Sequence, residues 1–173
     1  MLALLAAITI AAATPTPAQL QAGLAGKWTG ALGYRDYQTD KLEEIPVATE
    51  FRSVGDGVTI IGVSTYDDGP RVGLVYITSV QQFAGDKATT ATARKGRTME
   101  LATDAVAVTR YVDDTHWTIV ASRDGTDDDK PARLRTTETR DGDSLLSIKE
   151  VLPASASDGK YVYRNQRRLT RVR

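Results

Sequence analysis

After a leading apolar run, hydrophobic and polar residues in this chain alternate with the period of two expected of half-buried β-strands, and the alternation breaks repeatedly at Gly, Asp or Pro. Helical periodicity is nearly absent. The first strand is predicted over Lys27 to Tyr37, with Trp28, Gly30, Leu32 and Tyr34 on one face. Ile45 to Val54 follows, and then Gly55-Asp56-Gly57, whose glycines tolerate the positive φ of a tight hairpin. Val58 to Tyr66 leads into Asp67-Asp68-Gly69-Pro70, a second turn. Further strands are predicted over Arg71 to Gln81, Lys87 to Arg94, Arg97 to Leu101, Ala105 to Val112, Trp117 to Ser122, Ala132 to Arg140, Ser144 to Leu152 and Lys160 to Val172. Arg123 to Pro131, which carries Asp124 and Asp127-Asp128-Asp129, reads as an acidic exposed loop.

This amounts to roughly nine or ten strands joined by hairpin connections, without a solenoid or propeller repeat. Such hairpins close most economically into an antiparallel up-and-down β-barrel, because closure removes the exposed edges. The expected fold class is therefore all-β. Arg71 to Gln81 is apolar on both faces, with Val72, Leu74, Tyr76 and Thr78 on one and Val75 and Ile77 on the other. That pattern implies a strand covered on two sides, or an interface.

Met1 to Ala13 is almost entirely Leu, Ala and Ile, too short for a stable membrane span but suited to a signal-peptide apolar region. Ala11-Ala12-Ala13 and Thr16-Pro17-Ala18 are the small-residue cleavage candidates. Residues 1–18 are read as signal peptide and leader, and 19–173 as one barrel domain of a periplasmic or secreted protein. Leu20 to Ala25 has room for one helical turn. Cysteine is absent, which removes disulfides, thiolate nucleophiles and a lipidated cysteine from consideration. Lysine plus arginine balances aspartate plus glutamate at 22 each, so no net field draws the chain to nucleic acid.

Leu24-Ala25-Gly26-Lys27-Trp28-Thr29-Gly30 resembles the opening of a lipocalin or calycin-type barrel, whose first strand begins with Gly-x-Trp. The chain also resembles exported bacterial proteins whose first strand reads Gly-x-Trp-x-Gly and then Tyr-Arg-Asp-Tyr, here Tyr34-Arg35-Asp36-Tyr37. The resemblance implies that Trp28 plugs the barrel floor and that an arginine of the last strand lies across its indole. Arg171 is the preferred counterpart, with Arg168 and Arg173 as competitors. An arginine over an indole gains about 1 kcal/mol of cation–π energy. Later lipocalin motifs are not recognisable, and Ala154 to Gly159 is too short for the helix that family places before its last strand.

The candidate chemistry is sparse. His116 is the sole histidine. Nitrobindin-like barrels bind haem through a histidine, but His116 reads as a strand-end residue, and no nucleophile-elbow motif stands ready to use it. No cofactor, metal site or catalytic residue is expected. The paired and tripled aspartates read as hairpin tips, because none completes a calcium loop. Glu150 follows Leu146 and Ile148 on one face, so a lumen-facing Glu150 must be neutral or paired with an arginine such as Arg164 or Arg168. Glu138 is the other acid placed to pair with the basic last strand.

The function read from these residues is a barrel that takes a small, largely apolar ligand in its lumen. The expected lining is Trp28, Leu32, Tyr34, Phe51, Tyr66, Tyr76 and Trp117, with Glu150 as an internal polar group. The competing reading is a structural or protein-interaction barrel of the cell envelope, packed solid by its own side chains. An enzyme using an interior carboxylate or tyrosine is the third class, for which no motif speaks. Oligomeric state is left open.

Overall fold

The computed structural model describes residues 14–35 and 41–173. The leading run Met1 to Ala13, with its first cleavage candidate, lies outside them, as do Asp36 and Tyr37. The strands are β1 (Gly26–Arg35), β2 (Leu42–Ser53), β3 (Thr59–Asp67), β4 (Leu74–Ala84), β5 (Lys87–Arg94), β6 (Glu100–Asp113), β7 (His116–Asp127), β8 (Lys130–Asp141), β9 (Ser144–Pro153) and β10 (Val162–Arg171). Each pairs antiparallel with its sequence neighbours, and β1 pairs with β10 to close the barrel. Two short helices, α1 (Pro17–Ala22) and α2 (Gly69–Val72), complete the described elements. No described helix is long and apolar enough to cross a membrane.

Three of the differences from the sequence pattern have a clear local reason. The segments Arg97 to Leu101 and Ala105 to Val112 are one strand, β6. The residues between them, Ala102-Thr103-Asp104, lack a glycine to turn on and instead pair with β5. The acidic loop of Arg123 to Pro131 shrinks to a two-residue turn, because Asp128 and Asp129 both adopt positive φ (51° and 57°) and join β7 directly to β8. Aspartate is one of the few residues that tolerate this conformation, and a primed two-residue turn matches the twist of the strands. The strand expected from Arg71 begins only at Leu74, because Gly69-Pro70 starts the short helix α2.

Helix α1 begins three residues earlier than expected and takes in Pro17 and Ala18, which the sequence placed in the leader. Its start is chemically specified. Thr16 and Gln19 form a reciprocal capping box, and Pro17, which lacks an N–H, occupies the first turn where that donor would have no partner. The helix lies across one end of the barrel, with Ala18 packed against Ile60, Phe83, Ala88 and Val106. Leu20 and the following Leu24 join a second cluster with Trp28, Val47, Trp117, Ile119, Leu145 and Leu169. The two clusters fill the helix-covered end of the lumen, and Ala132, Leu134 and Val151 form a third on β8 and β9.

Closure between β1 and β10 depends on close backbone approach at Gly30. The register sets Gly30 opposite Leu169, and a Cβ on Gly30 would fall 1.9 Å from the Arg168 carbonyl oxygen. Glycine in a strand often marks such an approach. Gly30→Ala should therefore force the two closing strands apart and cost at least the ~1–3 kcal/mol typical of overpacking, read as a lower urea midpoint. An unchanged midpoint would show that closure does not need the close approach.

Candidate functional site

The site is built on a floor. Trp28 is 1% exposed, and its indole Nε1 donates to the Leu24 carbonyl at 2.8 Å, tying β1 to the chain that follows α1. Arg171 stands directly opposite Trp28 in the β1–β10 register, with its guanidinium carbon 4.7 Å from the indole centroid. Its two terminal nitrogens donate to the carbonyls of Ala25 (2.9 Å) and Gly23 (2.8 Å). A second cation, which the sequence reading missed, completes the arrangement. Arg140 is 6% exposed, with its guanidinium carbon 6.0 Å from the same indole. It donates to the carbonyls of Gly23, Asp114 and Gly142, each at 3.1 Å. Burial foremost, and then the nearby Arg171 charge, lower its pKa, although an arginine remains charged. Trp117, wholly buried, lies in the same cluster and donates from Nε1 to Asp114 O at 3.2 Å.

The signal for Arg140 was present in the sequence. Ala132, Leu134, Thr136, Glu138 and Arg140 alternate along β8, and the apolar members place the whole set on the inner face. Trp117 faces Arg140 across β7 and β8.

Above the floor lies a partly enclosed lumen cavity of about 200 Å³. Phe51, Phe83, Val106 and Ile119 supply its apolar wall. Ser64, Ser79, Gln81, Thr90 and Thr136 interrupt that wall with hydroxyls and an amide, and Glu138 and Arg167 bring opposite charges to it. Glu138 is held at both oxygens. Gln21 of α1 donates to Oε1, and the Ser147 hydroxyl donates to Oε2 at 2.7 Å. Arg167, two strands on from Glu138 in the same cross-strand row, has its guanidinium carbon 5.8 Å from the Phe51 ring centroid. Nearer the opposite end of the barrel, two ion pairs join inner positions, Arg123 to Asp104 and Arg164 to Asp127, each with a contact of 2.8 Å.

The residues expected to line the lumen divide accordingly. Phe51 lines the cavity. Trp28 and Trp117 form the floor beneath it, and Tyr66 packs against their cluster. Leu32 and Tyr34 alternate with Trp28 on the inner face of β1, nearer the open end, both half-buried. Tyr76 is not a lumen residue. It pairs with Thr65 on the outer face of β4 and is 58% exposed. Glu150 also lies outside. Leu145 and Val151 are buried, so the odd positions of β9 point inward, and Glu150 meets Arg135 on the outer wall at 2.9 Å. The expected partners of Glu150 are engaged elsewhere, Arg164 with Asp127 and Arg168 with Glu44. The last competitor for the clasp, Arg173, pairs with Asp143 at the barrel end.

His116 is clasped by two aspartates at the β6–β7 turn. Nδ1 lies 2.9 Å from Asp113, and Nε2 lies 3.2 Å from Asp141. The His116 hydrogen bond, supported by Thr115, lowers the Asp113 carboxyl pKa to about 2.

The fold and site thus define a closed ten-stranded antiparallel barrel, plugged at one end by a helix, with an internal cavity above an arginine-covered tryptophan floor. Among solved structures, the chain is similar to the crystal structure of Rv2717c from M. tuberculosis, with a TM-score of 0.62 at 19% identity over 91% of this chain and 99% of that one. At this identity the likeness is one of fold. No protein-family model and no curated protein sequence matches the chain.

Two measurements test the site's physics. Trp28→Ala should cost about 3–5 kcal/mol, and Arg171→Ala roughly 1–2 kcal/mol. In a double-mutant cycle their losses should be non-additive by more than about 0.5 kcal/mol. Additive losses would mean that the cation–π contact is energetically idle. For Asp113 the folded-state pKa lies below the unfolded value of about 4, so its contribution is present above that pH and is lost as pH falls toward about 2. The difference in urea midpoint between wild type and Asp113→Asn should therefore be evident at neutral pH and vanish at the acid end. A pH-independent difference would contradict this linkage.

Proposed function

We propose that the protein is an exported, calycin-like binding barrel that holds a small amphipathic molecule in its lumen. The supporting observation is the placement of Arg167. It lines the cavity against Phe51, while Glu138, the acid in its row, is already satisfied by Gln21 and Ser147. A ligand with an apolar body would rest on Phe51, Phe83, Val106 and Ile119 and direct an acceptor, such as a carboxylate, toward Arg167. Ligand sites of this kind combine apolar walls with a few placed polar groups. The mixed lining replaces the largely apolar one read from the sequence with an amphipathic one. The alternation that puts Phe51 inside puts Thr49 there too, and Ser64 beside it.

One observation favours the competing reading, a ligand-free structural barrel. Among the described residues no buried side-chain polar atom lacks a hydrogen-bond partner, so the interior is self-sufficient without a guest. The cavity is also smaller than the roughly 300–1,000 Å³ of ordinary small-molecule pockets, which limits any guest to a compact molecule.

Native mass spectrometry of protein recovered from its own cell envelope or medium separates the two readings. The binding barrel carries a retained small molecule, and Arg167→Ala loses it while remaining folded. Protein with no adduct in either form supports the structural barrel. The same masses locate the mature N-terminus, read from the sequence as between about Thr14 and Gln19 and expected at the Thr14 end of that range, because a later cut would remove the Thr16 cap and the Ala18 that α1 packs into the core.

A further inference from the structure

We propose that the outer face of β3 to β6 is a self-association surface, on which a second copy of this chain docks face to face to form a two-fold dimer. The inner wall of this arc belongs to the lumen, yet its outer wall is also apolar. The register aligns Ile61, Val80, Ala91 and Leu101 in one row across the four strands. Val80 is 41% and Leu101 74% exposed. The rows on either side continue with Val63 beside Thr78 and Ala93, and with Tyr76 and Leu74 toward the open end, Tyr76 and Leu74 more than half exposed.

Charge sets this arc apart. Along the outward positions of these four strands the interior of the face is uncharged, with Asp67 at one end, Lys87 at the other and Arg110 beyond the β6 bulge. Beyond the uncharged Thr118, Val120 and Ser122 of the adjoining β7, the outer wall is studded with ions, including the Arg52–Glu50, Arg135–Glu150 and Arg168–Glu44 pairs. A soluble barrel keeps such ions on its outside, so a four-strand gap in them marks a covered surface. The gap spans four of ten strands and therefore does not girdle the barrel as a membrane-embedded band would.

Two arguments favour a second copy as the occupant. The first is charge. A two-fold axis lying across the strands turns the open end of one copy toward the helix-plugged end of the other. With a tilt that offsets the two strands between β3 and β5, it carries Asp67 over Lys87 of the opposing face twice, with no like charges meeting in the middle. The second is area. The arc is convex, so contact centres on β4 and its two neighbours, and three strands about 4.8 Å apart and about nine residues long give a footprint of roughly 14 by 30 Å. Side-chain relief raises the accessible area above that figure, into the low end of specific interfaces, which bury under about 1,200 Å² in total, as a micromolar dimer requires. Two sheet faces of this kind pack about 10 Å apart with interleaved side chains.

The test is sedimentation equilibrium of the full barrel across the micromolar range. A dimer is expected. Val80→Glu, at the centre of the row, should weaken it by about a hundredfold or more, because the interface would then bury two like charges. Circular dichroism and an unchanged urea midpoint verify that the variant is folded, and Thr170→Glu on the exposed outer face of β10 serves as the control that leaves dimerisation intact. Lys87→Asp should weaken the dimer a few-fold, and combining it with Asp67→Lys should restore it. A monomer at the highest concentration overturns the proposal, as does a dimer indifferent to Val80→Glu. A monomer that co-sediments with phosphatidylcholine vesicles, and loses that binding in Val80→Glu, would reassign the surface to lipid. Failure of the reversed pair to recover would overturn the proposed axis.

Discussion

A barrel made of consecutive hairpins has a single seam, and everything inside it depends on that seam staying shut. Here the seam is the β1–β10 pairing, held at its lower end by Arg171 lying on Trp28 and reaching the carbonyls of Gly23 and Ala25. Arginine suits the position better than any apolar residue. One planar fork covers the indole face and also supplies donors to carbonyls that the short helix α1 leaves unserved. Arg140 repeats the device from β8, so Gly23 O accepts from both arginines. The floor is therefore apolar in its packing and cationic at its rim.

The rest of the interior follows from having such a floor. With Leu20, Leu24, Leu145 and Leu169 filling the plugged end, the middle of the lumen is free to be polar without loss of the core. Several of its polar groups are answered locally. Thr49 and Ser64 share a hydrogen bond of 2.8 Å, Gln21 and Ser147 serve Glu138, and ion pairs occupy the region nearer the open end. Half-buried pairs of this kind add little net stability, but they set strand register, because a one-residue slip would turn each partner to the opposite face.

The fold was legible because turns in this chain are chemically explicit. Gly55, Gly57, Gly85, Gly96 and Gly142 all take positive φ at hairpin tips, and alternation between them leaves little choice of element. The face of each strand was harder to read. On β9 the outward set, Leu146, Ile148, Glu150 and Leu152, is more apolar in composition than the inward set, Leu145, Ser147, Lys149 and Val151. Composition therefore pointed Glu150 the wrong way. The outward Leu146 and Ile148 stand opposite Arg168 and Gln166 of the neighbouring strand and are half-buried, so long polar side chains beside them take the place of an apolar cover. A bulge between Tyr163 and Asn165 further shifts the face of β10, which simple alternation from Tyr161 does not register. Asp127 was lost for a related reason. An aspartate in an acidic run reads as solvated, whereas its partner Arg164 lies 37 residues away.

The seam also separates two scales of chain entropy. Nine of the ten strand pairings join sequence neighbours, so each can form by closing a short loop. The tenth brings together groups 146 residues apart, and for a flexible chain of that length the logarithmic part of the closure cost is about 4 kcal/mol. Until that step, the molecule is a curled ribbon with β1 and β10 as bare edges, each able to pair with the complementary edge of another chain. The same contacts that finish the monomer could then join two chains by exchange. The rate at which Arg171 reaches the first strand, relative to the rate of chain encounter, would thus decide between a self-contained barrel and a strand-swapped polymer during folding.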